Sequence, residues 1–310
     1  MKNFYFKSAL MLTMLLFPQF MNAQEEEIAA SSKTTIFFES SGTTAAEKAV
    51  RNAVMTTLTN FKRLIVLDAE SEAVANVEDI RRTAENITAG SEMVPERLNA
   101  VVRLGAQSYF LMTVDNVNCT TERNDNSSAA KCKIIITVKV IDPSESKVLA
   151  MQQMNFSGSD ANNNEEEAFN RALKSITEKG SVLSSNPLSA LNQNPLMQFI
   201  ENEFPIMGQI LEINEAKKDK AVTVYINAGS DNGVIKNTKF EVFKEKKVGT
   251  RTASVKIGEL TANDIQGGDL TLCKVSKDGD AIFKEFNNGT TLKVKSRAKK
   301  DRPDLPIGIK

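Results

Sequence analysis

The sequence predicts an α+β protein made of an N-terminal α/β sandwich with a mixed sheet and a small C-terminal all-β barrel. In the first part of the chain, stretches with helical spacing of apolar residues alternate with short apolar strands, which is typical of helices packed on a sheet. From Phe204 onward, short strands are separated by turns rich in Gly and Asn, which is typical of a small barrel. A chain of 310 residues is long enough for two such domains.

Residues 1–23 have the composition of a secretory signal peptide. Lys2 and Lys7 give a positive start, the apolar run ALMLTMLLF is too short to span a bilayer, and Ala23 precedes a cleavage point before Gln24. A buried N-terminal helix is the alternative. No Cys stands directly after the apolar run, and no later run is long enough for a transmembrane helix. We therefore expect an exported protein, periplasmic or associated with the outer membrane, with neither a lipid anchor nor a transmembrane segment.

The predicted N-terminal domain spans 34–183 and follows a polar leader, 24–33, that we expect to be disordered. A capping box over 44–47 opens its first helix. Pro95 suits the first turn of a later helix, and Gly105 suits the left-handed position after its end. The predicted elements in order are strand 34–39, helix 44–61, strand 63–68, helix 70–87, a helix from 95, strands 107–117, 133–141 and 147–156, and helix 165–179.

The strands 107–117 and 133–141 are predicted to form an antiparallel hairpin with a polar loop between them. Two cysteines, Cys119 and Cys132, stand at its loop, and export would place them in an oxidising compartment. Strict alternation puts Cys132 on the apolar face and Cys119 on the opposite face, but a β-bulge near 115–116 would bring both to one face. We expect a disulfide between them. Cys273, in the apolar strand LTLCKV, is expected to be a buried thiol.

A change of composition marks the predicted linker, 184–203. Two Asn-Pro steps disfavour helix at Asn186 and Asn194, and we expect a linker that contains a short helical piece. A surface loop within one domain is the alternative.

The predicted barrel domain spans 204–296 and precedes a loose basic tail, 297–310. The tail region KVKSRAKKDR could meet anionic lipid or glycan, although a solvated tail is the simpler interpretation. The predicted strands are 207–213, 222–227, 239–244, 254–265, 270–275 and 291–296.

The first domain resembles a bacterial envelope family that includes the curli-export CsgG proteins, the penicillin-binding-protein activator LpoB and the N-terminal domain of TolB. The segments that carry this resemblance are RLIVLDAESEAVANVEDI, RLGAQSYFLMTV and EEEAFNRALKSI, within 34–179. CsgG proteins carry a lipidated N-terminal Cys and membrane-inserting hairpins, and this chain has neither. The resemblance implies a non-enzymatic role in envelope assembly.

The second domain resembles the C-terminal barrel of flagellar assembly protein T. The turn that begins at Asn227 follows the pattern N-x-G-x-x-x-G, and it precedes a strand of the form N-T-x-F-x-V that begins at Asn237. The similarity covers 204–294. This resemblance also implies a non-enzymatic envelope assembly protein.

The composition excludes several kinds of chemistry. Lys+Arg and Asp+Glu are both 39, so no overall field favours nucleic acid, and the absence of His removes the commonest general base and metal ligand. The turn 229–233 lacks the Gly-Lys-Ser/Thr ending of a phosphate-binding loop and is better explained as a hairpin turn. The acidic runs 25–27 and 165–167 are interpreted as solvated charge and as carboxylates at a helix N-terminus. We predict no catalytic residue, no cofactor and no metal site.

Three functions remain open at this stage. The favoured one is a non-enzymatic exported binding or assembly module that acts through protein-protein contacts with envelope proteins, with homo-oligomerisation left open. The second is a subunit of a CsgG-like outer-membrane secretion or assembly complex, although Lys133 and Lys139 on one hairpin face oppose lipid-facing strands. The third is an envelope hydrolase that would have to use carboxylate pairs alone.

Overall fold

The computed structural model describes residues 33–71, 95–124, 127–178 and 194–297. The predicted signal peptide with its Ala23–Gln24 cleavage point, the leader up to residue 32, most of the predicted helix 70–87 and the tail beyond Arg297 lie outside these ranges. The helices are α1 Ala45–Thr59, α2 Pro95–Arg103, α3 Glu165–Thr177, α4 Pro195–Glu203 and α5 Gly279–Asn287. The strands are β1 Thr34–Ser40, β2 Leu64–Asp68, β3 Ser108–Asn124, β4 Ser127–Asp142, β5 Lys147–Asp160, β6 Met207–Ala216, β7 Ala221–Ile226, β8 Lys239–Val248, β9 Arg251–Ile265, β10 Thr271–Lys277 and β11 Leu292–Ser296.

A five-stranded mixed sheet with the order β2-β1-β3-β4-β5 forms the first half of the described chain. β1 pairs in parallel with β2 and with β3, whereas β3, β4 and β5 form an antiparallel meander. Helix α1, which joins the parallel strands β1 and β2, opens on the predicted capping box, in which the Thr44 hydroxyl accepts from the Glu47 amide and the Glu47 carboxylate accepts from the Thr44 amide. The predicted mixed sheet is therefore confirmed.

The hairpin arms are longer than the sequence predicted. The polar loop expected between 117 and 133 is mostly strand, because β3 continues to Asn124 and β4 starts at Ser127. Thr and Ser side chains satisfy a strand as well as a loop when one sheet face is covered, and here Ala130 is fully buried. The prediction of a long loop was wrong because helix α3 covers this end of the sheet, so that a polar segment forms strand here and not a loop.

Apolar side chains fill both faces of the sheet, but the two faces are covered differently. The alternate residues Phe37, Tyr109 and Ile141 pack under α2 on one face. The opposite face carries the larger core, against α1, α3 and α4. Its fully buried members include Ile36, Phe38, Val54, Leu58, Phe110, Ile134, Ile136, Val138, Ala168, Ala172 and Ile200.

Helix α4 occupies the second half of the predicted linker 184–203, and residues 184–193 lie outside the described ranges. Leu196, Phe199 and Ile200 of this helix belong to the core of the sheet. The Phe199 ring lies edge-on to Phe110, with ring centroids 6.2 Å apart. The chain therefore returns to the sheet after α3 before it starts the barrel.

Asn194 joins the end of α3 to the start of α4. Its side chain is the N-cap of α4, because the carbonyl oxygen accepts from the amides of Leu196 at 3.0 Å and Met197 at 3.1 Å. The amide nitrogen of the same side chain faces three carbonyl oxygens at the end of α3, those of Ser175 at 3.1 Å, Ile176 at 2.9 Å and Glu178 at 3.0 Å. One buried side chain thus satisfies both helix ends.

The barrel is closed, with the strand order β10-β7-β6-β11-β8-β9 and antiparallel pairs throughout. Its core includes Val224, Phe240, Val242, Leu260 and Val294. Helix α5 packs on this core through the buried Ile282, with Phe283 and Phe286 partly buried beside it. The sequence analysis missed this helix, although these three residues stand at helical spacing. Within the described ranges no helix has the length and apolar character needed to cross a membrane.

Arg63 connects the sheet to the barrel. Its Nε donates to the carbonyl oxygen of Phe204, and its guanidinium lies over the Phe61 ring, 4.7 Å from the centroid. A Cβ placed on Gly233, in the barrel, would lie 3.9 Å from Arg63 Nη1. Burial lowers the pKa of Arg63 to about 10, and the negative charge of Glu201 partly opposes this decrease. The guanidinium is therefore still charged at neutral pH, and it donates to the Phe204 carbonyl oxygen as a cation.

We expect Asn194→Ala to lower the free energy of unfolding by about 2–4 kcal/mol, since it removes an N-cap and also the donor that faces the carbonyls of Ser175 and Glu178. The Ile176 carbonyl keeps the Thr57 hydroxyl as a donor. Asn164→Ala is the matched control, because Asn164 is the exposed N-cap of α3 and accepts only from the Glu167 amide. The control should cost about 1 kcal/mol. Urea unfolding measures both, and equal losses would contradict the double role of Asn194.

Candidate interaction surface

The two hairpin cysteines form a disulfide. Cys119 and Cys132 face each other directly across β3 and β4, with their Cα atoms 4.0 Å apart. The register of the pair shifts between Val114 and Asn116, so Asp115 is the extra residue of a β-bulge. The bulge lies where the sequence required one if both sulfur atoms were to share the core face. Cys132 is buried and Cys119 packs against the same core.

The disulfide lies in a row that continues across β5. Cys132 pairs with Gly158, which has α3 directly above it. A Cβ at Gly158 would lie 2.1 Å from the carbonyl oxygen of Ala168 and 2.4 Å from the amide nitrogen of Ala172. Only glycine permits this approach of strand and helix. The row Cys119, Cys132 and Gly158 therefore fixes the far end of the meander under α3.

Cys273, the third cysteine of the chain, lies in the barrel core and is a free thiol. It is fully buried in β10. Burial raises the pKa of this thiol to about 12, so it stays protonated and unreactive at neutral pH.

The outer edge of β5 is the most exposed apolar feature of the sheet. Within the described ranges β5 pairs with β4 alone, so the other side of its backbone has no strand partner. Three large apolar side chains near its start are exposed: Val148 at 45%, Leu149 at 52% and Met151 at 63%. Met154 and Phe156, further along the strand, turn into the core. The strand is thus anchored by one face and open along one edge.

Most of the edge of β5 lacks the features that usually block strand pairing, although at its far end the Arg171 guanidinium donates to the Ser159 carbonyl oxygen at 2.7 Å. Edge strands are commonly protected by charged side chains, proline or shortness. From Ala150 to Ser159 there is neither a charged residue nor a proline, and the strand is 14 residues long. A bulge at Leu149, where Val140 pairs with Ala150 and Ile141 with Val148, is the one irregularity. This edge is therefore available for pairing with another chain.

The opposite edge of the sheet is different. β2 has five residues and ends at Asp68. The Asp68 carboxylate accepts from the Arg51 guanidinium, which also lies 3.1 Å from a Glu70 oxygen. A short strand that ends in an ion-pair cluster suits an edge that is not used for pairing.

A polar row lies beside the open edge. The Asp115 carboxylate accepts from the Thr137 hydroxyl at 2.6 Å and from the Gln153 amide at 3.0 Å. The row therefore links β3, β4 and β5 and stiffens the face next to the exposed edge.

The other residues singled out by the sequence have structural roles. The turn 229–233 contains a short 3-10 helix, Ser230–Asn232, that ends at Gly233 with φ 81°, so it is not the tip of a hairpin. Glu165, Glu166 and Glu167 lie in the first turn of α3, as expected from their position. Within the described ranges no group of three metal-ligating side chains is present. The sequence analysis missed the β5 edge, although the uncharged run Ala150–Ser159 was visible.

No protein-family model matches the chain, and no curated protein matches it. The similar solved structures include a lipoprotein of Neisseria meningitidis, at 14% identity over 46% of this chain and 94% of that one, with a TM-score of 0.31. A hypothetical protein of Chlamydia trachomatis has 13% identity over 56% and 95%, with a TM-score of 0.32. The C-terminal domain of LpoB from Salmonella enterica has 9% identity over 41% and 85%, with a TM-score of 0.26.

These TM-scores are too low to decide the fold or the function of this chain. LpoB is also one of the proteins that the first domain resembles in its sequence segments. The resemblances to CsgG and to flagellar assembly protein T are not shown by the comparisons and stay predictions.

The double substitution Cys119→Ser and Cys132→Ser should lower the unfolding free energy by about 3 kcal/mol, because the bridge closes a loop with a sequence separation of 13. We expect this to lower the melting temperature of the sheet by about 6–12 °C and to leave the barrel unchanged. Calorimetry measures the shift. Reduction of the wild-type protein should reproduce it, and reductant should not affect the double variant. Alkylation of both thiols in folded, unreduced periplasmic protein would show that the bridge is absent.

Proposed function

We propose that this chain is an exported, non-enzymatic envelope protein that binds a partner protein through the open edge of β5. The observation that carries the proposal is the edge itself: a long, uncharged strand with exposed apolar side chains and no strand partner within the described ranges. The sequence features of residues 1–23 support export. The absence of His from the chain supports a binding role over the commonest kinds of acid-base catalysis.

The mode of binding follows from the geometry of a sheet edge. A partner that supplies an extended segment can hydrogen-bond along β5, which gives affinity through the main chain. Side chains at alternate positions then give specificity, and Val148 and Met151 are exposed for this purpose. The covered face of β5, under α3 and the core, holds the strand in place so that little ordering is needed on binding.

The core behind β5 makes this edge a rigid template. The disulfide and the close contact of Gly158 with α3 fix one end of the strand, and the turn at Asp142–Lys147 fixes the other. In that turn the Asp142 carboxylate accepts from the amides of Ser144 and Glu145. The Ser144 hydroxyl also donates to this carboxylate. This hydrogen bond contributes most, and the two from the amides add to it, so that the pKa of Asp142 is held below its usual value.

Met151→Lys should abolish the retention of the partner, because a lysine on an edge strand opposes strand addition. The experiment captures envelope proteins on the purified chain and identifies them by mass spectrometry. Ile235→Lys is the matched control, since Ile235 is a large apolar residue of the barrel that is 66% exposed and far from β5 in sequence. A protein retained by the wild type and by the control, but not by Met151→Lys, is the expected result.

Other outcomes would oppose the proposal. If both variants retain the same proteins as the wild type, the β5 edge is not the binding surface. If a second copy of the chain is the protein whose retention depends on Met151, the edge mediates self-association and the proposal of a different partner is wrong. Hydrolysis of peptidoglycan by the purified chain, lost on a single carboxylate substitution, would overturn the non-enzymatic role.

A further inference from the structure

Two hairpin tips project from the same end of the barrel. The short strand β11 lies between β6 and β8, and it pairs with β6 as far as Gln209 and with β8 as far as Lys244. Both neighbours continue beyond the start of β11, to Ala216 and to Val248. The turn from β6 to β7, residues 217–220, is called the first tip here, and the end of the β8–β9 hairpin, residues 246–251, the second tip.

The tips carry six cations that have no acidic partner among the residues that the structure describes. Several lysines nearer the barrel wall are paired: Lys244 with Glu285, Lys293 with Glu245, and Lys256 with Glu241 and Glu259. Within the described ranges, none of the cations of the tips takes part in an ion pair, and all six are exposed. They are Lys217, Lys218 and Lys220 in the first tip and Lys246, Lys247 and Arg251 in the second tip.

The second tip also exposes an apolar side chain. Val248 is 57% exposed and pairs with Arg251 at the very end of the hairpin, beside Lys246 and Lys247. A groove of about 300 Å³ lies at the base of this tip, lined by Glu245, Lys247, Lys293 and three threonines. The tip therefore combines an apolar end, three cations and a polar recess.

The first tip keeps a lysine at a position that disfavours it. Lys218 and Asp219 have φ of 51° and 59°, and the amides and carbonyls of Lys217 and Lys220 bond to each other across them. Such two-residue turns favour Asn and Gly, because other side chains are strained at positive φ. A cation is retained here at some cost in stability.

We propose that this end of the barrel docks on a membrane surface that contains anionic phospholipid, with the second tip as the main contact. Cations on long side chains interact with lipid phosphates, each one favouring binding by roughly a factor of five. The side chain of Val248 gains burial at the boundary between headgroups and acyl chains. An anionic glycan or nucleic acid would engage the cations but would give Val248 nothing to contact, so the combination favours lipid. This surface is separate from the β5 edge, and either one can fail without the other.

The test is co-sedimentation of the full exported chain with vesicles of phosphatidylglycerol and phosphatidylcholine in equal parts, and with phosphatidylcholine alone. We expect binding to the anionic vesicles only. The triple variant K246E/K247E/R251E should bind at least about 100-fold more weakly. The control K236E/K239E/K274E makes the same change of charge at exposed barrel lysines outside the tips, and it should bind like the wild type. All three proteins keep the basic tail, so the tail cannot account for a difference between the two variants.

Val248→Ala separates membrane docking from simple charge attraction. Since Val248 is largely exposed, the substitution should leave the melting temperature unchanged but weaken vesicle binding by about 5- to 10-fold. The inference is overturned if wild-type protein ignores anionic vesicles, if it binds neutral vesicles equally, or if the control loses as much affinity as the triple variant. It is also overturned if Val248→Ala binds like wild type, which would indicate a general polyanion surface, or if millimolar inorganic phosphate displaces the protein, which would indicate a free-phosphate site.

Discussion

The burial of one apolar face of the five-stranded sheet is the constraint on which the rest of the structure depends. The face extends along β3, β4 and β5, which are 17, 16 and 14 residues long. None of the helices that the structure describes covers that length, so α1, α3 and α4 share it. Because α4 is required for this cover, the chain must return to the sheet before it enters the barrel, and Asn194 fixes the place where it returns.

The same constraint leaves the edge of β5 open. The three helices cover the sheet face, and none of them pairs with the backbone of the last strand. Strand pairing along a rigid template needs little ordering of the template, so an edge held by a disulfide and by a helix is a suitable binding surface. The stability of the sheet and the open edge that we propose as its binding surface therefore have one origin.

The barrel stabilises itself by closure, which removes edges from its own sheet. Its hairpins project past the short strand β11 because β6, β8 and β9 are longer than the closed part of the barrel requires. Projecting tips are poorly buried, so their composition is free to follow function. In the part of the chain that the structure describes, the lysines of the tips take part in no ion pair, whereas two lysines on the barrel wall pair with Glu241, Glu259 and Glu285.

The amino-acid sequence by itself determined the periodic and local features: the alternation of β4, the capping box at Thr44, the apolar faces of α1 and α3, and the Gly- and Asn-rich turns of the barrel. It also showed that a bulge near Asp115 was needed for the Cys119–Cys132 bridge, because alternation in a strand is strict. Only the tertiary structure decided the length of the hairpin arms, the burial of α4 in the sheet core, the packing of α5 and the exposure of the β5 edge. The physical reason is that each depends on which surface another element covers, and a polar or Asn-Pro segment changes its role once that surface is in place.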